Sequence, residues 1–156
     1  MEISIRKAEN RDIPRIIELL YQVCRVHADK RPDLFKAGAK KYDERDLAEI
    51  IADAERPVFV AESGGEVLGY AFCILQRHEG GSYTPHKTLY IDDLCVDKRS
   101  RGQHVGTALY NHVLQFAREI GCYNVTLNVW ECNESARKFY EKCGLSIQKY
   151  GMEQIL

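Results

Sequence analysis

The stretch "LYIDDLCVDKRSRGQHVGTALYNHVLQFAREIG", residues 89–121, changes character three times. Leu89 to Val96 is an apolar run typical of a strand, except that Asp92 and Asp93 interrupt it. A cationic loop follows, with Gly102 and Gly106 four apart. Val105, Ala108, Leu109, Val113, Phe116 and Ile120 then recur on one side of a helix that Gly121 ends. A loop between a strand and a helix presents unpaired N–H groups at the positive end of the helix dipole, and a diphosphate suits such a place. Thr107 stands where an NTPase loop needs Lys-Ser/Thr, and no G-x-G-x-x-G is present, so neither nucleotide fingerprint applies. By themselves, two glycines before a helix are equally a solvated turn.

Upstream, "ISIRKA" reads as a first strand. Asn10 and Asp12 offer caps and Pro14 fits a first helical turn, for a helix with Ile13, Ile16, Ile17, Leu20, Cys24 and His27 on its stripe, ended by Pro32. A shorter helix carries Leu47, Ile50, Ile51 and Ala54. The run "VFVAESGGEVLGYAFCIL" is two antiparallel strands joined at Gly64-Gly65. Downstream, "NVTLNVW" is a strand, Asn133 caps a helix that Gly144 ends, and a last strand is expected within "LSIQKYGMEQIL". The order is β-α-α-β-β-β-α-β-α-β. It implies an α/β fold in which a mixed, mostly antiparallel sheet is flanked by helices, as one domain over 1–156.

Composition agrees with one domain. The chain has 156 residues, 45% of them hydrophobic, and its 22 Lys and Arg against 23 Asp and Glu leave a net charge of -1. That balance supplies no field for nucleic acid. No stretch approaches the ~20 apolar residues of a membrane span, and the first ten residues have no signal-peptide core. A cytoplasmic protein is expected. The six cysteines form no C-x-x-C pair and the five histidines do not complete a metal-ligand spacing, so disulfides and a metal are not expected. Cys73, Cys122 and Cys143 read as small buried hydrophobes, and Cys95 less firmly so.

The strand "LYIDDLCVD", the loop-helix "KRSRGQHVGTALYNHVL" and the later "LNVWECNESARKFYEKCGL" together resemble the GNAT superfamily of acyl-CoA-dependent N-acetyltransferases. The loop pattern of that family is (Gln/Arg)-x-x-Gly-x-(Gly/Ala), here Arg101-Gly102-Gln103-His104-Val105-Gly106, then Thr107. The resemblance implies that these backbone amides hold the coenzyme A diphosphate. His104 replaces the middle glycine, and close approach there is expected to require helical φ at His104. Gly106 is expected to leave room for the diphosphate. Asn133, Ala136 and Tyr140 match the family's second motif, on one helical face where a cofactor could touch all three. A structural reading instead makes Asn133 a cap and Tyr140 a core aromatic.

The implied chemistry is attack of a primary amine on the acetyl thioester of acetyl-CoA. Tyr140 is then the proton donor to the departing thiolate. Leu94, Cys95 and Val96 supply the strand edge that polarises the carbonyl and pairs with the pantetheine arm. Successive strand residues point to opposite faces, so Asp92 and Asp93 share a cleft only if a bulge intervenes. Asp92 is assigned as general base and Asp93 as support for a cationic substrate. Within the superfamily, "LYIDDLCV" and "NESARKFYEKCG" look most like the diamine (spermidine/spermine) acetyltransferase branch, which implies a polyamine acceptor. Asn128, Trp130 and Glu153 are candidates for lining the acceptor pocket, and the resemblance also implies a homodimer. Protein N-terminal and aminoglycoside acetyltransferases, a non-catalytic acyl-CoA-binding module and a structural domain with an empty loop are the competing readings.

Overall fold

Strand β1 (Ser4–Lys7) and a single turn of 3-10 helix lead into α1 (Ile13–Lys30), followed by α2 (Glu44–Ala52) in a computed structural model that describes all 156 residues. Three strands follow, β2 (Val58–Ser63), β3 (Glu66–His78) and β4 (His86–Val96), then α3 (Val105–Glu119), β5 (Asn124–Leu127) and α4 (Glu134–Lys142). The sheet order is β1-β2-β3-β4-β5, antiparallel except for the parallel β4–β5 pair. Gly64 and Gly65 have φ of 58° and 81°, the left-handed values that a two-residue hairpin demands. Asp43 caps α2, accepting from the Asp46 amide at 2.9 Å while the Asp46 carboxylate accepts from Asp43 N–H at 3.1 Å.

Period-two alternation sends side chains to two cores. Val58, Val60, Tyr70, Phe72 and Cys95 meet Ile16, Leu19, Leu20, Leu47 and Ile50 on the α1/α2 face. Phe59, Ala61, Ala71, Leu89 and Ile91 meet Val105, Leu109, Val113 and Ala117 on the α3 face. Gly69 lets β3 and β4 close beneath α3, since a Cβ there would lie 2.6 Å from the Cys95 carbonyl oxygen. No helix is long and apolar enough to cross a membrane.

The alternation breaks once, where the acids interrupt β4. Phe72 pairs with Asp93 and Cys73 with Ile91, which leaves Asp92 without a partner on β3. This is a β-bulge, and it reverses the parity of the strand. Before it, Leu89 and Ile91 face α3; after it, Leu94 and Val96 do, while Cys95 turns to the α1 side. Asp92 and Asp93 thereby both project toward α1 and α2, as their partners show below.

The strand expected within residues 145–156 is not formed. After Gly144 the chain has no regular structure, and Ile147, Tyr150, Met152, Ile155 and Leu156 stand exposed. The segment has the composition of a strand, but beyond Leu145, which packs on the α3 cluster, nothing within one chain pairs with it and no core receives its side chains. Cys73 and Cys95 are buried as expected, whereas Cys122 and Cys143 are half-buried at the margin of the α3 cluster.

Candidate active site

The sheet splits beyond the bulge. Strand β5 pairs with β4 only from Thr88 to Ile91, and from Asp92 to Val96 the β4 edge has no neighbour on that side. The cleft so opened is flanked by the backbone of Leu94, Cys95 and Val96, which can hydrogen-bond an extended ligand as an added strand would. At its head Asn128 donates from Nδ2 to the Tyr90 hydroxyl at 3.2 Å. Cys95 offers only its backbone: burial pushes its thiol up to about 12, and Sγ–H points at the Leu19 carbonyl, 3.7 Å away.

At the open end of the cleft the chain turns into α3 with a row of unpaired amides. No acceptor in the chain takes the N–H groups of Arg101 to Thr107, and the first helical bond runs from Ala108 N–H to the His104 carbonyl at 3.0 Å. His104 does not have helical φ; it sits at φ 64°, ψ 18°, in the left-handed region. The turn into the helix needs the conformation that a glycine adopts freely, and the histidine adopts it at a cost of about 1–2 kcal/mol. Gly106 leaves room for a neighbouring helix. A Cβ there would lie 3.1 Å from the Phe139 ring, so the missing side chain lets α4 dock on α3.

Asp97 anchors this loop. It is 1% exposed and accepts from both Arg15 and Arg99, the latter at 2.9 Å, from the Arg99 amide at 3.2 Å and from Gln22 Nε2 at 3.3 Å. Burial alone would raise its pKa, but the hydrogen bonds from Arg99, Arg15 and Gln22 hold it well below the ordinary carboxylate range. Strand β4, helix α1 and the loop are thus pinned at one point.

Helix α4 forms the opposite wall. Asn133 caps it, its Oδ1 accepting from Ala136 N–H at 3.3 Å, so the structural reading of Asn133 holds. Tyr140 is half-buried and its hydroxyl has no hydrogen-bond partner in the chain. Burial first, then the nearby Asp93 carboxylate, pushes the phenol pKa up, so it keeps its proton.

The two acids differ sharply. Asp92 accepts from Lys41 Nζ and from the Tyr42 hydroxyl, each at 2.9 Å, and its charge is matched on the spot. Asp93 accepts from the buried Tyr70 hydroxyl at 2.7 Å and has no cation in contact. Burial, opposed by that hydrogen bond, raises its pKa to about 6. Lys41, Tyr42 and Tyr70 escaped the sequence reading because they lie far along the chain from the acids they bind and carry no spacing signal. Beside them His27, Phe35 and Trp130 form an aromatic group, with centroid separations of 5.0 and 5.4 Å, and Trp130 remains 41% exposed. Glu153 is bound to Arg31 at 2.7 Å. No three His, Cys, Asp or Glu side chains come together to hold a metal ion.

Residues 9–145 match the acetyltransferase (GNAT) family model. A glucosamine 6-phosphate N-acetyltransferase of Trypanosoma brucei brucei is 30% identical over 147 residues, 92% of this chain and 89% of that protein. The Arabidopsis thaliana enzyme of the same description is 34% identical over 68 residues, 44% of each chain, and rat N-acetyltransferase family 8 member 2 is 33% identical over 117 residues, 75% of this chain and 50% of its own. The chain thus spans about half the length of these last two relatives. Among solved structures, a mutant of the BH1408 protein from Bacillus halodurans superposes with a TM-score of 0.94 at 25% identity, over 98% of this chain and 99% of that one. The Arabidopsis glucosamine-6-phosphate N-acetyltransferase superposes at 0.74 with 23% identity, over 99% of both chains, a likeness of fold.

Proposed function

The chain belongs to the acetyltransferase (GNAT) family, and from that premise we propose that it transfers the acetyl group of acetyl-CoA to a primary amine by direct attack, with Asp93 as the proton acceptor and Tyr140 as the proton donor. The observation that carries this reading is the unequal pairing of the two acids on one face of the β4 bulge. Asp92 is already engaged by the Lys41 ammonium and the Tyr42 hydroxyl. A carboxylate whose pKa stands near 6 is charged at neutral pH yet basic enough to take a proton from an attacking amine. The role expected of Asp92 therefore passes to Asp93, and Asp92 holds Lys41 and Tyr42 in place at the cleft.

Bound acetyl-CoA supplies the activated acyl carbon and a thiolate leaving group. The free amides of Arg101 to Thr107 suit its diphosphate, and the unpaired edge Leu94 to Val96 suits the pantetheine arm and the thioester carbonyl. Ala136 and Tyr140 lie on the wall opposite, beyond the Asn133 cap. The Tyr140 phenol, free of any partner and holding its proton, meets the leaving sulfur.

For the acceptor, the finer reading of a small cationic amine such as a polyamine rests on the paired acids. Lys41 takes one of those charges, and the exposed ring of Trp130, with the half-buried Phe35 edge-on to it, offers an apolar face instead. An amine-bearing sugar fits that face, and two of the relatives described above are named for an amino-sugar phosphate. A panel holding spermidine, glucosamine 6-phosphate, an aminoglycoside and an N-terminal peptide amine, assayed by thiol release, decides between them. Coenzyme A release above the hydrolysis background with at least one amine is the expected result. Tight acetyl-CoA binding with no transfer to any amine would instead make the protein an acyl-CoA-binding module.

A further inference from the structure

The cleft holds an amine of its own. Lys41 reaches the β4 bulge on the irregular chain between α1 and α2, and its Nζ donates to Asp92 Oδ2 at 2.9 Å. No other lysine touches either acid of the bulge. The Lys41 side chain is 47% exposed, so Asp92 holds the ammonium without enclosing it. Burial dominates the shifts at Asp93, upward, and at His27, downward, and the Lys41 charge reaches both groups, lowering each. The Asp93 charge in turn reaches Tyr140, where it adds to the effect of burial. Asp93 therefore lies within electrostatic range of both the Lys41 nitrogen and the Tyr140 phenol. Leu94, whose backbone belongs to the unpaired edge, is two residues beyond Asp92. That is roughly 7 Å along an extended strand, a swing within the compass of a flexible four-carbon stem.

We propose, on the acetyl-transfer reading above, that Lys41 is itself an acceptor, acetylated in its own cleft when acetyl-CoA is bound and no other amine is present. The Lys41 ammonium gives one proton to the Asp93 carboxylate, and the freed nitrogen forms a bond to the acetyl carbon as the carbon–sulfur bond breaks. The sulfur departs with the Tyr140 proton, and the phenolate recovers a proton from the new amide nitrogen. The products are N-acetylated Lys41, the coenzyme A thiol and one proton, which Asp93 releases to water. Each chain reacts once, because the amide so formed carries neither charge nor a nucleophilic lone pair. Acetylation leaves Asp92 with the Tyr42 hydroxyl alone, so a cationic acceptor then meets a carboxylate that the unmodified chain keeps matched.

Intact mass and peptide mapping of the full chain incubated with acetyl-CoA alone read the modification. A single acetyl group per chain is expected, on Lys41, with a first-order rate constant that does not change with protein concentration. Lys41→Arg, which keeps a cation for Asp92, should block it, and Tyr140→Phe should slow it about 10²–10⁴-fold. Acetyl groups spread over exposed lysines such as Lys98 and Lys149, at a rate that Tyr140→Phe leaves unchanged, would be chemical acetylation by the thioester and would overturn the proposal. So would a rate that rises with protein concentration, because one molecule would then be modifying another. An unmodified Lys41 also overturns it, and the amine panel tells which reading has failed. Transfer to an external amine leaves acetyl transfer standing, whereas no transfer to any amine removes both.

Discussion

Asp93, near the end of β4, and Asp97, one residue beyond it, lie four residues apart, and the protein treats them in opposite ways. Asp97 receives two guanidinium groups, an amide and a carboxamide, and these hold its pKa well below the ordinary carboxylate range. Asp93 receives one phenol, and burial lifts it to about 6. Removing a charged group from water is costly in both places. At Asp97 the cost is met with cations and the carboxylate becomes a clamp between α1, β4 and the loop that leads into α3. At Asp93 it is left partly unmet, so that the proton affinity of the group rises into the range where it can work.

The largest effect should come from Asp93→Asn. Turnover falls about 10²–10⁴-fold, the magnitude of general base catalysis, and the limb near pH 6 in kcat/KM disappears. The same variant should resist urea better than the parent at pH 8. A folded pKa above the unfolded value of ~3.9 means that ionised Asp93 opposes folding above pH 6 and ceases to do so below pH 4. Asp92→Asn that loses as much activity, with the same limb lost, would reverse the assignment.

Asp97→Ala should reverse the pattern, with stability lost first. It removes the buried acceptor shared by Arg15 and Arg99, leaving the half-buried Arg15 with Glu18 and the Val67 carbonyl, and urea denaturation should show a loss of about 1–3 kcal/mol at pH 7. The folded pKa of Asp97 lies below its unfolded value, so its contribution is complete above about pH 4 and fades as pH falls through the folded value. Parent and variant should accordingly converge in acid. A gap that stays constant down to pH 2 would mean that the carboxylate acts by packing alone.

Tyr70→Phe sharpens the contrast by removing the hydrogen bond that does most to hold Asp93 down. The limb near pH 6 should move upward by about one unit, the value of a hydrogen bond to a charged group. An unmoved limb would show that it belongs to another group. The smallest change is His104→Gly, which should add about 1 kcal/mol of stability by relieving the left-handed φ, while acetyl-CoA affinity, read by calorimetry, stays within a few-fold of the parent.

The elements that bury a face were legible in the sequence. Ile13 to Leu20, Leu47 to Ile51 and Val105 to Val113 repeat at helical spacing because each packs on the sheet, and Asn133, Gly64-Gly65 and Gly121 punctuate by local backbone chemistry alone. Residues 145–156 misled for the complementary reason: their alternation was real, but a strand also needs an edge to pair with, and one chain does not bring them one. The unequal pairing of Asp92 and Asp93 was hidden likewise. It depends on Lys41, Tyr42 and Tyr70, which arrive from α2's approach and from β3 and leave no trace in the neighbourhood of the acids. The left-handed turn at His104 could have been suspected, since the residue stands where the resembling pattern has glycine.

One extra residue in β4 makes the site a matter of counting as well as of composition. Every position from Asp93 to Val96 owes its direction to the number of residues between Ile91 and Leu94. A substitution at Asp92 alters one side chain. Its deletion would shift the frame of the strand, either turning Asp93 into the Leu109 and Val113 layer, where no donor waits, or forcing Leu94 and Val96 out of that layer toward α1. Chains that share this chemistry should therefore tolerate many residues at position 92 but hardly ever none.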